Sequence, residues 1–273
     1  MSATPASRPS PEGDGRPRLS VMLITLDSER LLDRVLASVD WADEIVVVDS
    51  GSTDATEQIV RRHTPHFQVR DWRGFGIQKQ RALEMCTGDW VLSIDSDEVV
   101  SDRLRESILA AVRDPGPHVA VRMKLATCFA GVWFGDRGWR ADRKLRLFRR
   151  DRGRVSTHIV HEGIEVDGSV GWLDGLLLHY SYRDIEHFAA KMNHYSSSMA
   201  TRKLESGKRA GAVAAVARGI ARFWRDWLFG GDILYGGAGL TRSALAGYYT
   251  FLTYAKLWER GRGGSDCLDE PRA

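Results

Sequence analysis

The stretch TGDWVLSIDSDE, residues 87–98, joins a predicted buried strand to a pair of carboxylates. Its apolar run is typical of a strand, and Asp95 and Asp97 follow at the strand's end. No basic residue nearby in the sequence neutralises them, so they repel one another unless a cation or solvent lies between them. Mg²⁺ or Mn²⁺, held by one or two carboxylates and substrate phosphates, is the usual partner of such a pair. By itself the pair is equally compatible with a turn, because Asp and Ser favour turns.

Apolar runs and segments with helical spacing alternate through the first half of the chain. The predicted strands are 19–25, 44–49, 67–71 and 90–95. The predicted helices are 31–39, 52–62 (capped by Ser52 or Thr53), 77–86 (stopped at Gly88) and 101–112. Strands separated by such helices favour right-handed crossovers and a parallel sheet, and hence an α/β fold. Ligands of such sheets bind beyond the carboxyl ends of the strands, which here carry Thr25, Asp49 and Asp95.

The pattern changes in the second half. Alternating residues predict longer strands at 118–129 and 144–150, and the spacing is helical from 183 to near the end. We therefore predict four parts: a disordered leader (1–18), an α/β domain (19–182), a helical region that associates with a membrane surface (183–262) and a flexible tail (263–273).

The composition is typical of a soluble globular protein, since 43% of the 273 residues are hydrophobic and 27% are charged. The 39 basic and 36 acidic residues leave a net charge of +3, too near balance to indicate nucleic-acid binding. Three scattered cysteines predict reduced thiols in a cytosolic protein. The leader lacks the apolar core of a secretory signal, and no run of about 20 uncharged apolar residues predicts a membrane span.

Two motifs in order carry a family resemblance. VVVDSGSTDAT (46–56) and TGDWVLSIDSDE (87–98) resemble the family 2 glycosyltransferases of the GT-A fold, over roughly residues 19–112. The resemblance implies a GT-A-type, Rossmann-like sheet with helices on both faces, to which this chain adds a C-terminal helical appendage. It also implies an inverting transfer from a nucleotide-diphosphate sugar.

The same resemblance implies roles for five residues. Thr25 and Asp49 would contact the nucleoside, and Asp95 would lie near the ribose. Asp97, with Asp95 beside it, would hold the metal on the diphosphate. Lys79 occupies a position where many members carry a basic residue on the helix before the aspartate pair.

A closer resemblance comes from three further segments: GFGIQKQRALE (74–84), VHEGIEVDG (160–168) and LLHYSYRD (177–184). Together they resemble the lipopolysaccharide inner-core β-1,4-glucosyltransferases. That implies transfer of glucose from UDP-glucose to a core heptose on a lipid-linked saccharide. The pattern expects Asn-Glu and Asn at three positions that differ here: Asp27, Ser28 and Gln80.

The chemistry that this resemblance implies requires a general base. Displacement at the anomeric carbon passes through an oxocarbenium-like transition state, and charge accumulates on the leaving diphosphate. A divalent ion, assisted by Lys79, would stabilise that charge. Glu162 is the predicted base and His161 the second choice, because their loop follows a basic strand on the expected acceptor side. An exposed loop pair is the alternative interpretation. Glu98 is predicted to order the turn of the aspartate pair.

Nine Arg or Lys residues lie in the stretch 137–154. They predict either a solvated strand face or a surface for an anionic, phosphorylated acceptor. Trp133, Phe134 and Trp139 nearby could form a wall against which a sugar stacks, and core packing is an equal alternative.

The segment 208–230 has the composition of an interfacial helix. Three arginines share one predicted face: Arg218, Arg222 and Arg225. Apolar and aromatic residues spread across the other: Val213, Val216, Ile220, Phe223, Trp224 and Trp227. A second segment, 243–255, is uncharged but too short to span. We predict peripheral attachment to the inner face of the cytoplasmic membrane, and a helical pair docked on the catalytic domain is the alternative.

Other functions fit part of the pattern. The same fold could glycosylate another acceptor, such as a polyprenyl phosphate or a protein. A haloacid-dehalogenase-type phosphatase also carries an aspartate pair on a parallel sheet. In that class the pair lies on the first strand, whereas in this chain it follows the fourth predicted strand. A non-catalytic membrane adaptor with a decayed transferase domain is the third alternative, against which the intact Asp49, Asp95 and Asp97 argue.

Overall fold

A computed structural model of the protein describes residues 15–135, 142–156 and 163–263. The predicted leader up to residue 14, and the tail from residue 264, therefore lie outside the described residues. The chain forms two compact units, one of residues 1–123 and 143–177, the other of residues 124–142 and 178–273. The domain limits proposed from the sequence remain predictions.

Strands and helices alternate in the first half of the described chain, and only helical elements follow β11. The strands are β1 (Leu19–Thr25), β2 (Glu44–Asp49), β3 (Phe67–Val69), β4 (Trp90–Ser93), β5 (Glu98–Val100), β6 (Ala120–Phe129), β7 (Val132–Phe134), β8 (Asp142–Arg149), β9 (Gly153–Val155), β10 (Ile164–Val166) and β11 (Val170–His179). The helices are α1 (Glu29–Ala37), α2 (Thr56–His63), α3 (Phe75–Met85), α4 (Asp102–Arg113), α5 (Ile185–Glu205), α6 (Ala212–Trp224) and α7 (Gly236–Gly261). A π-helical turn (Arg225–Phe229) and a 3₁₀ turn (Asp232–Tyr235) lie between α6 and α7.

The predicted parallel sheet is confirmed. Strands β3, β2, β1 and β4 are neighbours in that order and run parallel, while β8 joins β4 antiparallel. The described sheet continues as β8-β6-β11-β5, with β7 paired to β6. Every residue of β1 and β2 is buried, as expected for central parallel strands covered on both faces. Their register sets Thr25 opposite Asp49 at the carboxyl edge.

The predicted cap of α2 is wrong. The helix begins at Thr56 rather than near Ser52 or Thr53. Its N-cap residue is Ala55, which makes no side-chain capping hydrogen bond. Ser52 instead donates its hydroxyl to Asp49 at 2.5 Å, so its side chain is committed to the preceding loop. A local propensity for capping was overridden by a nearby carboxylate.

The predicted role of Gly88 is also wrong. Helix α3 ends at Met85, and Gly88 is instead packed against the strand β1. A Cβ at Gly88 would lie 2.7 Å from the backbone nitrogen of Ser20 and 2.9 Å from the carbonyl oxygen of Arg18. Glycine is therefore required for close approach of two backbones rather than for a helix stop.

In the second unit, small residues form the contact between α6 and α7. A Cβ at Gly219 would lie 3.0 Å from the carbonyl oxygen of Gly247, and one at Gly247 would lie 2.8 Å from that of Gly219. Ala215, one turn from Gly219, is fully buried. The guanidinium of Arg218 lies 4.3 Å from the ring centre of Tyr254 on α7. The predicted arginine face of α6 therefore packs partly against α7.

The large apolar residues of α6 point away from that contact. The exposed members recur every three or four residues along the helix: Val213, Val216, Ile220 and Trp224. Phe223, which the sequence placed in the same set, instead packs its Cβ near Gly247. Leu228 and Phe229 in the following turn are exposed as well.

Candidate donor and metal site

Thr25 and Asp49 meet at the carboxyl edge of the sheet. The Thr25 hydroxyl donates to Asp49 Oδ2 at 2.7 Å, and both residues are buried. Asp49 Oδ1 accepts from the backbone nitrogens of Gly51 and Ser52 at 2.8 and 2.7 Å. Asp49 therefore shapes the loop that follows β2, and its predicted contact with a nucleoside stays a prediction.

The two residues that depart from the family pattern after β1 have clear structural roles. Asp27 adopts a left-handed backbone with φ of 44°, which Asp tolerates better than most residues. Its carboxylate accepts from the backbone nitrogen of Thr53 at 2.8 Å. The Ser28 hydroxyl lies 3.0 Å from that of Ser96, between the two aspartates of the pair. These contacts join the ends of β1, β2 and β4, so Asp27 and Ser28 are compatible with an ordered site.

Asp95 is held between two cations. Lys79 Nζ donates to Asp95 Oδ1 at 2.6 Å, and Arg146 donates to Asp95 Oδ2 at 2.7 Å. The expectation that no basic residue neutralises the pair is therefore wrong for Asp95. Burial alone would raise the pKa of Asp95, but the charges of Arg146 and Lys79 outweigh it and hold that pKa well below its ordinary value. Asp95 is thus a fixed anion at the edge of the sheet.

Glu98 orders the turn as predicted. Its Oε2 accepts from the backbone nitrogen of Asp95 at 2.9 Å, and its Oε1 accepts from Arg146 at 2.5 Å. Glu98 is fully buried, so its charge needs a partner. Burial alone would lower the pKa of Arg146, but Glu98 and Asp95 raise it above its ordinary value and keep the guanidinium charged.

The sequence analysis missed Arg146 because it counted this residue among a surface stretch of basic residues. Its side chain is only 12% exposed. A signal was present in the alternation of β8, which sets Arg146 on the same side as the buried Phe148. A cation on a half-buried strand requires an acidic partner, and that requirement points towards the aspartate pair.

The residues at this edge fit a divalent ion bound through one carboxylate. Asp95 already pairs with Lys79 and Arg146, and the assignment of Asp97 to the metal stays a prediction. Among the residues that the structure describes, no three His, Cys, Asp or Glu side chains form a cluster able to hold a metal alone. Mg²⁺ and Mn²⁺ in nucleotide sites commonly use one or two carboxylates and take their other ligands from phosphates and water. The hard oxygen donors here match that pattern.

Comparison with known proteins assigns the family. The family model described as glycosyl transferase family 2 matches residues 20–164. The chain is 34% identical, over 89% of its length and 92% of the relative's, to the lipopolysaccharide core biosynthesis glycosyltransferase LpsC of Rhizobium meliloti. The chain belongs to glycosyl transferase family 2.

A more distant relative agrees with this assignment. An uncharacterized glycosyltransferase of Rickettsia typhi is 28% identical over 89% of this chain and 87% of its own. A crystal structure of glucosyl-3-phosphoglycerate synthase from Mycobacterium tuberculosis, in complex with Mn²⁺ and UDP-glucose, is 26% identical with a TM-score of 0.36. It covers 41% of this chain and 44% of the other, too little to add to the assignment. The predicted GT-A-type α/β fold and the prediction of a glycosyltransferase are confirmed at the level of the family.

Glu162 and His161, the two candidates for the general base, are outside the described residues. Gln80, the third departure from the pattern, accepts from the backbone nitrogen of Val155 on β9 at 3.2 Å. It also donates to Glu84 on the same helix at 3.2 Å, and its contact with Val155 links α3 to the hairpin of β9 and β10.

The described part of the basic stretch is largely engaged within the protein. Arg149 pairs with Asp151, Arg154 pairs with Glu165, and Arg150 donates to the carbonyl oxygen of Gly88. An acceptor surface here stays a prediction. Three aromatic residues were proposed to form a sugar-stacking wall. Phe134 is in the core, and Trp133 packs edge to face on Tyr180. Trp139 lies outside the described residues.

Proposed function

We propose that this family 2 glycosyltransferase is a metal-dependent, inverting hexosyltransferase that moves glucose from UDP-glucose to the inner core of lipopolysaccharide. The single observation that carries the donor half is the fixed Asp95 anion beside Asp97 at the carboxyl edge of the sheet. The acceptor half is supported by similarity to LpsC over almost the whole chain. A polyprenyl phosphate or another lipid-linked saccharide remains the alternative acceptor.

Different residues at the carboxyl edge of the sheet would bind different parts of the donor. Asp97 would hold Mg²⁺ or Mn²⁺, which when bound neutralises charge on the leaving diphosphate. Asp95, fixed by Lys79 and Arg146, presents an anion of constant position to the ribose hydroxyls. Because its orientation is set before the substrate arrives, little reorganisation is needed on binding. Thr25 and Asp49 shape the loop over which the nucleoside lies.

Glu162 removes the proton from the acceptor hydroxyl, and His161 is the second candidate for this task. A single attack from the face opposite the diphosphate inverts the anomeric centre. A well-placed base contributes about 10²–10⁴-fold to such a reaction. The position of both residues after the basic strand supports their assignment to the acceptor side.

The second unit attaches the enzyme to the inner face of the cytoplasmic membrane, where a lipid-linked acceptor is found. No helix among the described residues is both long and apolar enough to cross a bilayer. Helix α6 instead buries small residues and exposes large apolar ones, and Val213 is 84% exposed. Small residues at helix contacts, with large apolar residues outside, are typical of helices in lipid. Five basic residues and one acidic residue lie within 206–231, which favours an anionic headgroup layer.

Transfer or slow hydrolysis from a panel of UDP-, GDP- and ADP-sugars tests the proposed function. The wild type and Asp97→Ala are compared with Mn²⁺, with Mg²⁺ and with chelator, in the presence of a heptose-containing core acceptor. We expect turnover of UDP-glucose that requires metal and is lost in the variant. Turnover that survives both the chelator and Asp97→Ala would contradict metal use by this site. Failure of every donor would contradict the assignment of donor and acceptor together.

A further inference from the structure

Two aromatic side chains lie exposed at the carboxyl edge of the sheet, one in the loop between β3 and α3 and one at the start of α3. Trp72 is 47% exposed and Phe75 is 53% exposed. Their rings meet edge to face, with centroids 4.7 Å apart and planes at 88°. We call these two residues the aromatic pair. Large rings left in water forgo the free energy of burial, so a fixed exposed pair beside a binding edge is typical of a ligand surface.

The loop that carries the aromatic pair is anchored to the Asp49 loop. Val69 is the register partner of Asp49 across the two strands. The backbone nitrogen of Arg70 donates to the carbonyl oxygen of Asp49 at 2.8 Å. On the other side of the pair, the buried amide of Gln78 donates to the Ser50 hydroxyl at 2.9 Å. The aromatic pair is therefore held between two attachments to the loop that follows β2.

A second set of contacts stiffens the same loop from α3. Arg81 donates to the carbonyl oxygen of Asp71 at 2.7 Å and to its carboxylate at 3.0 Å. The strand order places β2 between β1 and β3, and Leu26 at the end of β1 is also exposed. Exposed apolar side chains thus flank the polar Asp49 loop on both of its neighbouring strands.

We propose that the aromatic pair stacks on the base of the donor nucleotide and sets the affinity of the enzyme for the nucleoside. This inference rests on the proposed function and adds two residues to its nucleoside site. A heteroaromatic base presents a flat π-face with a polar edge, which matches aromatic rings beside a polar loop. The diphosphate is charged and has no π-face, and the charged residues that suit it lie around Asp95 and Asp97.

The test measures affinity with and without the base. Dissociation constants of UDP and of pyrophosphate are determined by calorimetry with Mn²⁺ for the full-length wild type, Trp72→Ala and Trp72→Phe. Trp172→Ala is the matched control, because Trp172 is an exposed tryptophan of β11 in the same unit. Because Trp72→Ala removes one stacking ring, it should weaken UDP binding about tenfold. Pyrophosphate binding should be unchanged, and Trp72→Phe should restore most of the UDP affinity.

The outcomes separate this inference from the proposed function. If UDP affinity is equal in Trp72→Ala and Trp172→Ala, the aromatic pair does not bind the base and the inference fails alone. The inference also fails alone if Trp72→Ala weakens UDP and pyrophosphate equally, because the loss is then not specific to the base. If the wild type binds no nucleoside diphosphate with metal, while its melting temperature shows it folded, the inference and the proposed function fail together.

Discussion

At the scale of single residues, Arg146 serves two carboxylates of different burial. Glu98 is fully enclosed and must be compensated, while Asp95 lies partly open at the edge of the sheet. One guanidinium with several N–H donors can pair with both, which a lysine ammonium would do less rigidly. The same residue therefore stabilises the turn and fixes the orientation of the carboxylate predicted to face the ribose.

Replacing Arg146 by methionine should destabilise the protein by about 3–5 kcal/mol, because it leaves the Glu98 charge buried without its partner. The free energy of unfolding is measured by denaturant titration of the wild type and the variant. Arg154→Met removes an exposed pair with Glu165 on the adjoining hairpin and should change stability little. Adding Glu98→Gln to Arg146→Met should recover part of the loss. Equal stability of the two single variants would contradict a structural role for Arg146.

Cys86 gives a second prediction at this scale, through pH. It is a free, buried thiol, as the scattered cysteines predicted, and burial, assisted by the charge of Glu44, raises its pKa from 9.0 to about 12. As pH rises, the thiol ionises first in the unfolded chain. The contribution of the buried, protonated thiol to the free energy of unfolding is therefore complete below pH 9 and is lost between pH 9 and about 12. Between pH 8 and 10 the wild type should lose about 1 kcal/mol more stability than Cys86→Ala. Parallel pH profiles of the two proteins would contradict the raised pKa.

At the scale of elements, the central strands were predictable and the short ones were not. The limits of β1 and β2 agree with the sequence pattern, since strands buried on both faces are continuous apolar runs with polar ends. Strand β5 has only three residues, and its pairing depends on β11, a partner far along the chain. Distance along the chain also explains why Lys79, close before the aspartate pair, was predicted while Arg146 on β8 was missed.

The contact between α6 and α7 gives a prediction for an element. Gly219→Leu places a side chain where even a Cβ would lie 3.0 Å from the carbonyl oxygen of Gly247 and from the Cβ of Phe251. Neither neighbour can move without shifting a helix, so we expect a loss of about 1–3 kcal/mol in the free energy of unfolding. Gly237→Leu, at a helical glycine with open space around it, is the control. If the two variants unfold at the same denaturant concentration, the helices do not approach each other this closely.

At the scale of the whole molecule, the two units carry different chemistry. The first contains the acidic edge and its two cations, where polar groups are buried and mutually satisfied. The second exposes a row of apolar side chains on α6 and holds much of the excess positive charge of a chain whose net charge is only +3. The proposed transfer from a water-soluble donor to a lipid-linked acceptor would require both properties.

The membrane surface of the second unit is tested with variants that leave the donor edge intact. Ile220→Glu combined with Trp224→Glu puts charge on the exposed face of α6, and Trp172→Glu does so at an exposed tryptophan of the first unit. Vesicles of phosphatidylethanolamine and phosphatidylglycerol are sedimented with each full-length protein. Burying one such apolar side chain is worth about 1.5–3 kcal/mol, so the double variant should partition at least about tenfold less than the wild type.

Donor hydrolysis should be equal in all three proteins, and high salt alone should not release the wild type, because apolar burial is not screened. Retention of the wild type in the supernatant, or equal sedimentation of the three proteins, would show that α6 does not bind lipid and that its apolar face serves another contact.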